Sequence, residues 1–590
     1  MSEVYFVSKV TKILTGFIST VVLLLIILLL SVLLAFTIPS VQTRVAQAAM
    51  GWASEWLGVE VSLSRIAITF PLNVEIDDFY VEDYGQDTMI YVKKAKAPIK
   101  YITPKPFELG FGRVKLEDGE FILRADSTDQ INIKLVVNRL KENRDPNKPR
   151  KSANILFDGI EGKHLRYLQL LNLKEYDSPI DYGNMELKLD TICLKDFGVY
   201  GDSVRMNLRY ANFTERSGFR IDTLQSRVIT VCRGLVLLDD AVIDNEDSHL
   251  NLSKVHLIGD SWDSYHYYID SVRTEVTARN STVSTRSLAY FANIFDGMSL
   301  QATNVNASTW DVLSSYKGRV SSADIEGASV IASFTSKGLP EMESTIWNLD
   351  ITDVSANATA INRVIEGVTS RPLPSSLTKM LSTQGNMHIN GRFNGSFNNF
   401  ATNLHLRTLS GMAEASAKMR RQRSGNYMVD YSVATSDFSL ARLLSSTAIG
   451  DVTFDANMVG ELGKNGFNTE YSLEIDSIRL LEHTYSKLLT DGTIKEKCIK
   501  AKMESFDPAM LFSLDATADF NQEKPHSLAD LNVWHSDLAA LALNKRDSIS
   551  VISLEATLDA EATGLDDLAG SFDISNCTYR YDTDTIRGKH

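Results

Sequence analysis

From Val59 onward, apolar and polar residues alternate with a period of two. Val59, Val61 and Leu63 are separated by Glu60 and Ser62, and Val272, Thr274, Val276 and Ala278 by Arg273, Glu275 and Thr277. Met387, Ile389, Gly391 and Phe393 repeat the pattern, as do Val452, Phe454, Ala456 and Met458. Leu514, Ala516, Ala518 and Phe520 follow it, and Leu554, Ala556, Leu558 and Ala560 alternate with Glu555, Thr557, Asp559 and Glu561. Such alternation gives each strand one apolar and one wet face, which argues for antiparallel sheet, because strands of parallel α/β sheets are buried on both sides. In this body of the chain, short helices are expected at 286–295, 358–368, 375–383 and 439–446.

Proline usage supports a long ladder. Of 13 prolines, none lies between Pro179 and Pro340, and proline is excluded from central strands because it lacks the ladder donor. About 13 residues per strand and turn gives roughly 40 strands and, at about 4.8 Å each, a ladder of roughly 190 Å. No helical layer is available to cover the apolar faces, so the sheet must cover itself as a barrel, a sandwich or a trough. A closed barrel of that many strands is implausible, and the body has no Gly/Ser- or Pro-rich linker. The expected fold is therefore mainly β: an elongated antiparallel sheet curled into a trough with an apolar interior, with a set of sandwiches as the alternative.

The period is different at the start of the chain. No charge occurs between Lys12 and Arg44, and an apolar run extends from Leu14 to Phe36. At about 1.5 Å per residue this run crosses a hydrocarbon layer of about 30 Å. It is longer than a cleavable signal's apolar region and lacks an Ala-x-Ala site. A retained single-pass anchor is expected, with Val21, Leu23, Ile26, Leu29, Leu33 and Phe36 as anchor residues. Lys9 and Lys12 place residues 1–12 in the cytoplasm by the positive-inside rule. Val41, Val45, Ala48, Trp52 and Trp56 then recur at helical spacing, from the Ser40 cap to Gly58. Trp52 and Trp56 are candidate interfacial aromatics.

Composition removes several function classes. The 590 residues carry a net charge of −14, which argues against nucleic acid as a partner. Cys193, Cys232, Cys498 and Cys577 form no CxxC pair, so a structural zinc site is not expected, while a Cys193–Cys232 disulfide stays open. "GELGKNG" (460–466) has the wrong spacing for a phosphate loop, and no HExxH or GxSxG occurs. The chain is expected to be no enzyme and to need no cofactor or metal. A basic loop, with Arg139, Lys141, Arg144, Lys148, Arg150 and Lys151, reads first as a solvated loop and second as a contact for anionic head groups.

Residues 40–99, with Asp78-Phe79-Tyr80-Val81-Glu82-Asp83 and Gly85-Gln86-Asp87-Thr88, resemble the N-terminal module of the AsmA-like family and its TamB (translocation and assembly module) branch. Asp196-Phe197-Gly198-Val199-Tyr200-Gly201-Asp202 echoes the phrase, and "TERSGFRIDTLQSRV" (214–228) and "GRFNGSFNNFATNLHLRTLSG" (391–411) are similar to other TamB phrases. The chain is short for that branch and would be a short relative or a truncated form. The resemblance implies an inner-membrane anchor and a periplasmic β-groove in a Gram-negative envelope. Its implied role is to bridge the envelope and conduct phospholipids for outer-membrane biogenesis. The alternative is an assembly factor for outer-membrane or secreted β-barrel proteins, with a barrel partner of the TamA or BAM type. The expected organisation is a cytoplasmic tail (1–12), an anchor (13–38), an amphipathic helix (39–58), an AsmA-like β module (59–140), a basic loop (141–152) and an elongated β-groove (153–590). Candidate groove-lining residues are Val59, Val61, Val272, Val276, Ile389 and Phe393, followed by Val452, Phe454, Leu514, Leu554 and Leu558.

Overall fold

The computed structural model describes residues 16, 18–23, 26 and 39–590, apart from 70–71, 105–106, 129, 143–153, 172–178, 182, 262–263, 265–266, 340, 343, 464–465, 522–523, 562–568, 583 and 589–590. The chain is mainly β, with 66% in strands. Contacts divide it into two compact units: Met1–Glu326 with Ser336–Met342 and Gly367–Ser370, and Gly327–Thr335 with Glu343–Glu366 and Arg371–His590.

In the first unit, helix α1 (Pro39–Leu57) precedes β1 (Val61–Ser62), β2 (Arg65–Thr69), β3 (Asn73–Glu82), β4 (Thr88–Pro104) and β5 (Phe107–Arg124). Helix α2 (Asn132–Glu142) leads to β6 (Asn154–Leu170), β7 (Asn184–Tyr200), β8 (Ser203–Glu215), β9 (Arg220–Cys232) and β10 (Leu235–Asp244). Next come β11 (His249–Ile258), β12 (Arg273–Ser284), β13 (Gln301–Trp310) and β14 (Lys317–Ile325). From β6 to β14 each strand pairs antiparallel with the next.

One pairing corrects the expectation of a purely antiparallel ladder. β5 and β6 run parallel over their full length, from Glu108↔Asn154 to Arg124↔Leu170. A parallel neighbour needs a crossover that returns the chain to the starting end, and α2 lies in that connection. Asn132 ties it down: its Nδ2 donates to Asp83 Oδ2 at 3.2 Å and to the Ile122 carbonyl at 2.9 Å, while its Oδ1 accepts from Arg124 N at 3.2 Å. Alternation could not reveal this, because β5 is buried on both faces along much of its length. Of the basic loop, Arg139 and Lys141 fall in the last turns of α2, and Arg144, Lys148, Arg150 and Lys151 lie outside the described residues.

Helix α1 spans the expected residues in a different phase. Its buried face is Gln42, Ala46, Met50, Ala53 and Leu57, one or two positions along from Val41, Val45, Ala48, Trp52 and Trp56. The small Ala46 and Ala53 let the helix approach the strands closely. There Gln42 Oε1 accepts from Ile68 N, and Ser54 Oγ both accepts from Val61 N and donates to Val61 O. Trp52 and Trp56 stack at 5.8 Å. Trp56 packs against the core, whereas Trp52 is 56% exposed.

The second unit contains most of β15 (Ala328–Lys337), then β16 (Ile346–Ala356), most of helix α3 (Ala358–Thr369), helix α4 (Ser375–Ser382) and β17 (Met387–Ser396). β18 (Asn399–Thr408), β19 (Gly411–Arg421), β20 (Tyr427–Ser439), β21 (Ile449–Gly463) and β22 (Gly466–Leu480) follow. The unit continues through β23 (His483–Lys495), β24 (Cys498–Asp507), β25 (Met510–Asp519), β26 (His526–Asp537), β27 (Ser550–Glu561), β28 (Ala569–Tyr581) and β29 (Asp584–Gly588). The described residues thus form 29 strands instead of roughly 40, because many strands exceed the length assumed from the pattern; β4 has 17 residues and β5 has 18. The remaining helical turns among the described residues, at 268–271, 285–289, 293–295, 313–315 and 440–444, are short interruptions.

The two units bury apolar surface differently. The first has a large core in which Met50, Leu57, Ile66, Phe79, Val81, Phe111, Ile133 and Phe157 come together. In the second, the one cluster of fully buried apolar residues among those described is Ala328, Ala356 and Ala360.

Candidate apolar binding face

Directly opposed residues of an antiparallel pair project to the same face, so the pairing registers define rows of neighbours across β16 to β28. One row runs Leu349, Phe393, Thr402, Ala417, Tyr431, Met458, Tyr471, Gly492, Ala501, Ala516, Ala529, Leu558 and Phe572. Two residues along each strand, a second runs Ile351, Gly391, Leu404, Ala415, Val433, Ala456, Leu473, Thr490, Met503, Leu514, Leu531, Ala556 and Ile574. A third, past a bulge in β16, runs Val354, Ile389, Leu406, Ala413, Thr435, Phe454, Ile475, Leu488, Ser505, Phe512, Val533 and Leu554. None of these residues is charged.

The opposite face is its complement. The row between the first two runs Asp350, Arg392, Asn403, Ser416, Ser432, Asn457, Ser472, Asp491, Lys502, Asp515, Asp530, Thr557 and Asp573, polar at every position. Here Lys502 lies 2.9 Å from Glu504, and that hydrogen bond raises the lysine's pKa. At about 4.8 Å per strand the uncharged rows extend for about 58 Å.

Most side chains in the apolar rows are neither sealed nor free. Phe393, Phe454, Leu514, Leu554 and Leu558 are half-buried. Each keeps part of its surface open. Phe572 at 62% and Ile574 at 41% are exposed outright. Monomeric soluble proteins rarely expose contiguous apolar patches beyond a few hundred Å² without an interaction purpose. A cavity of about 280 Å³ opens on the face where β18, β19 and β20 meet, lined by Thr402, Leu404, Ala415, Ala417, Val429, Tyr431 and Val433. It arises because Ala415 and Ala417 stand between the larger side chains of β18 and β20.

Of the expected lining residues, Ile389, Phe393, Phe454, Leu514, Leu554 and Leu558 fall within these rows, and Val452 opposes Phe438 at the margin, 2% exposed. Val276 sits in a comparable row of the first unit, with Met206, Ile229, Leu238 and Val255. Val59 and Val61 belong instead to the closed core of the first unit, and Val272 is fully buried. The cavity residues of β18–β20 were missed because β19 alternates with alanines, a weak apolar signal. Of the anchor residues, Val21, Leu23 and Ile26 are helical, and Val21 and Ile26 pack against the first unit's core. Leu29, Leu33 and Phe36 lie outside the described residues. Among the described residues no helix is long and apolar enough to cross a membrane. All four cysteines are free. No group of three or more His, Cys, Asp or Glu among the described residues could hold a metal ion.

Comparison of the chain with protein families, with characterised proteins and with solved structures gives no match.

Proposed function

We propose that this protein binds phospholipid by its acyl chains along the apolar strand face and conducts it along that face. The N-terminal apolar segment would anchor the chain in an inner membrane, with the bulk of it in the periplasm as part of a bridge for outer-envelope biogenesis. The observation that carries the reading is the set of uncharged, half-exposed rows across β16–β28. An acyl chain needs a continuous apolar path, and burying about 25 cal/mol per Å² of apolar surface favours its transfer from water. A head group needs water or polar partners, and the strand ends and hairpins supply them. Curling of the sheet into a trough would shelter the chains while leaving one seam for head groups.

The test is extraction and mass spectrometry of lipid bound to the purified full chain. Bound phospholipid is expected, and Leu404→Asp with Leu514→Asp should remove most of it. Asp515→Lys, on the opposite face, should leave it unchanged. A full chain that carries no lipid, or the same lipid in the Asp variants, would overturn the reading.

A second reading, an assembly factor for β-barrel proteins, has one observation in its favour. β29 pairs with only Cys577–Tyr581 of β28, so the outer edge of residues 569–576 has no partner strand among the described residues. An unpaired edge is a template for strand addition. Recovery of a barrel-assembly partner with lipid-free protein would favour it.

A further inference from the structure

The cavity on β18–β20 has a basic margin at the β19–β20 hairpin. Along β19 the apolar-face positions are Ala413, Ala415, Ala417 and Met419, and the next residue on that face is Arg421. It opposes Tyr427, whose hydroxyl donates to Asn398 at 3.0 Å. Arg423 follows in the turn, and Lys418 and Arg420 lie on the other face of the same strand. Residues 418–430 therefore hold four basic residues and one acidic residue, Asp430, in a chain whose net charge is −14. Arg420, Arg421 and Arg423 are exposed. None of the three has a side-chain hydrogen bond or ion pair among the described residues.

An apolar bay with guanidinium groups at its lip matches an amphiphile whose head carries an anion. The planar fork of arginine suits phosphate oxygens, to which it donates two parallel hydrogen bonds. We propose that the β19–β20 hairpin is a head-group site: Arg421 and Arg423 hold the phosphate of a lipid with net negative charge, whose acyl chain enters the bay between Leu404 and Val433. This inference rests on the lipid reading above and adds a preference to it. A zwitterionic head presents the same phosphate, but its cationic group offsets part of the attraction to the arginines. The hairpin thus discriminates by net charge at one place on the face.

The test needs a local readout, because lipid elsewhere on the face would mask a local preference. The full chain carries photoreactive benzoylphenylalanine in place of Val433, in the bay, or in place of Leu531, on the same face outside it. Each is irradiated with equimolar phosphatidylglycerol and phosphatidylcholine of identical acyl chains, and adducts are counted by intact mass. The Val433 position is expected to favour phosphatidylglycerol by about fivefold, the upper range for exposed ion pairs, and the Leu531 position to show no preference. Arg421→Gln with Arg423→Gln should equalise the two lipids at the Val433 position while adducts persist, and added salt should narrow the preference. Excess inorganic phosphate, an anion with no chain, should leave the adducts in place. Displacement by phosphate alone would make the hairpin a free-phosphate site and overturn the assignment. Equal labelling in the unsubstituted hairpin, or a preference that survives the glutamines, would overturn the head-group site and leave the lipid reading standing. An absence of adducts at both positions would overturn both.

Discussion

Asp507 is a buried carboxylate with an unusual number of donors. Its side chain is 3% exposed. Ser486 N and Ala509 N donate to it at 2.8 Å each, the Ser486 hydroxyl at 3.1 Å, and His483 Nε2 lies 3.1 Å away. Burial alone would raise its pKa, but the backbone and side-chain hydrogen bonds outweigh burial and hold it below the ordinary value. A carboxylate with a depressed folded pKa contributes stability that is fully present above the unfolded pKa, about 3.9, and is lost as pH falls through the folded value. Asp507→Asn should therefore lower stability at pH 7, and the gap from the parent should close as denaturant midpoints are followed below about pH 4. A gap that stays constant with pH would mean that the carboxylate's charge contributes nothing. Gly391, near the start of an apolar row, has φ +151°, and a Cβ there would lie 2.1 Å from the Asn403 carbonyl oxygen. Gly391→Ala should cost about 1–3 kcal/mol, seen as a lower thermal midpoint. An unchanged midpoint would show that β17 and β18 can separate without strain.

Among elements, the β5–α2–β6 crossover is the place where local pattern and topology part. Asn132 is 5% exposed and satisfies donors and acceptors from the β3–β4 turn, β5 and its own helix. Asn132→Ala would leave the Arg124 N–H and the Ile122 carbonyl without this partner, at about 1–3 kcal/mol. The loss should appear as faster hydrogen exchange in 122–136. Uniform exchange across the first unit would instead mean that α2 is held by its apolar residues, such as Ile133 and Val136. Helix α1 teaches a related point. Its length was legible, although the helix already begins at Pro39 and so takes in Ser40, the expected cap; its apolar residues surround more than one face, so periodicity left the phase open. Contact with β2 resolved it in favour of the small residues.

For the molecule as a whole, the second unit is a ladder in which the dominant contacts of each strand are with its sequence neighbours. Stability in such arrays is close to a sum of nearest-neighbour terms. Hydrogen exchange is therefore expected to be graded, fastest in the exposed β29 and β28 and slower toward the middle of the ladder. One common exchange rate across β16–β28 would contradict this. The proposed acyl-chain path rests on the same geometry, a set of rows that are uncharged strand after strand. The sequence by itself determined that these segments are strands, and which side of each is wet, because side-chain alternation is a property of the local backbone. It also put Ile389, Phe393, Phe454, Leu514, Leu554 and Leu558 on the apolar sides of their strands, where the pairing registers join them to uncharged neighbours. Tertiary structure decided the rest: the parallel crossover at β5–β6, the closed core around Val59 and Val61, and the registers that join apolar positions into rows. Those depend on which residues meet across strands. A cross-strand neighbour is set by turns, bulges and packing partners distant along the chain, and alternation within one strand carries no information about it.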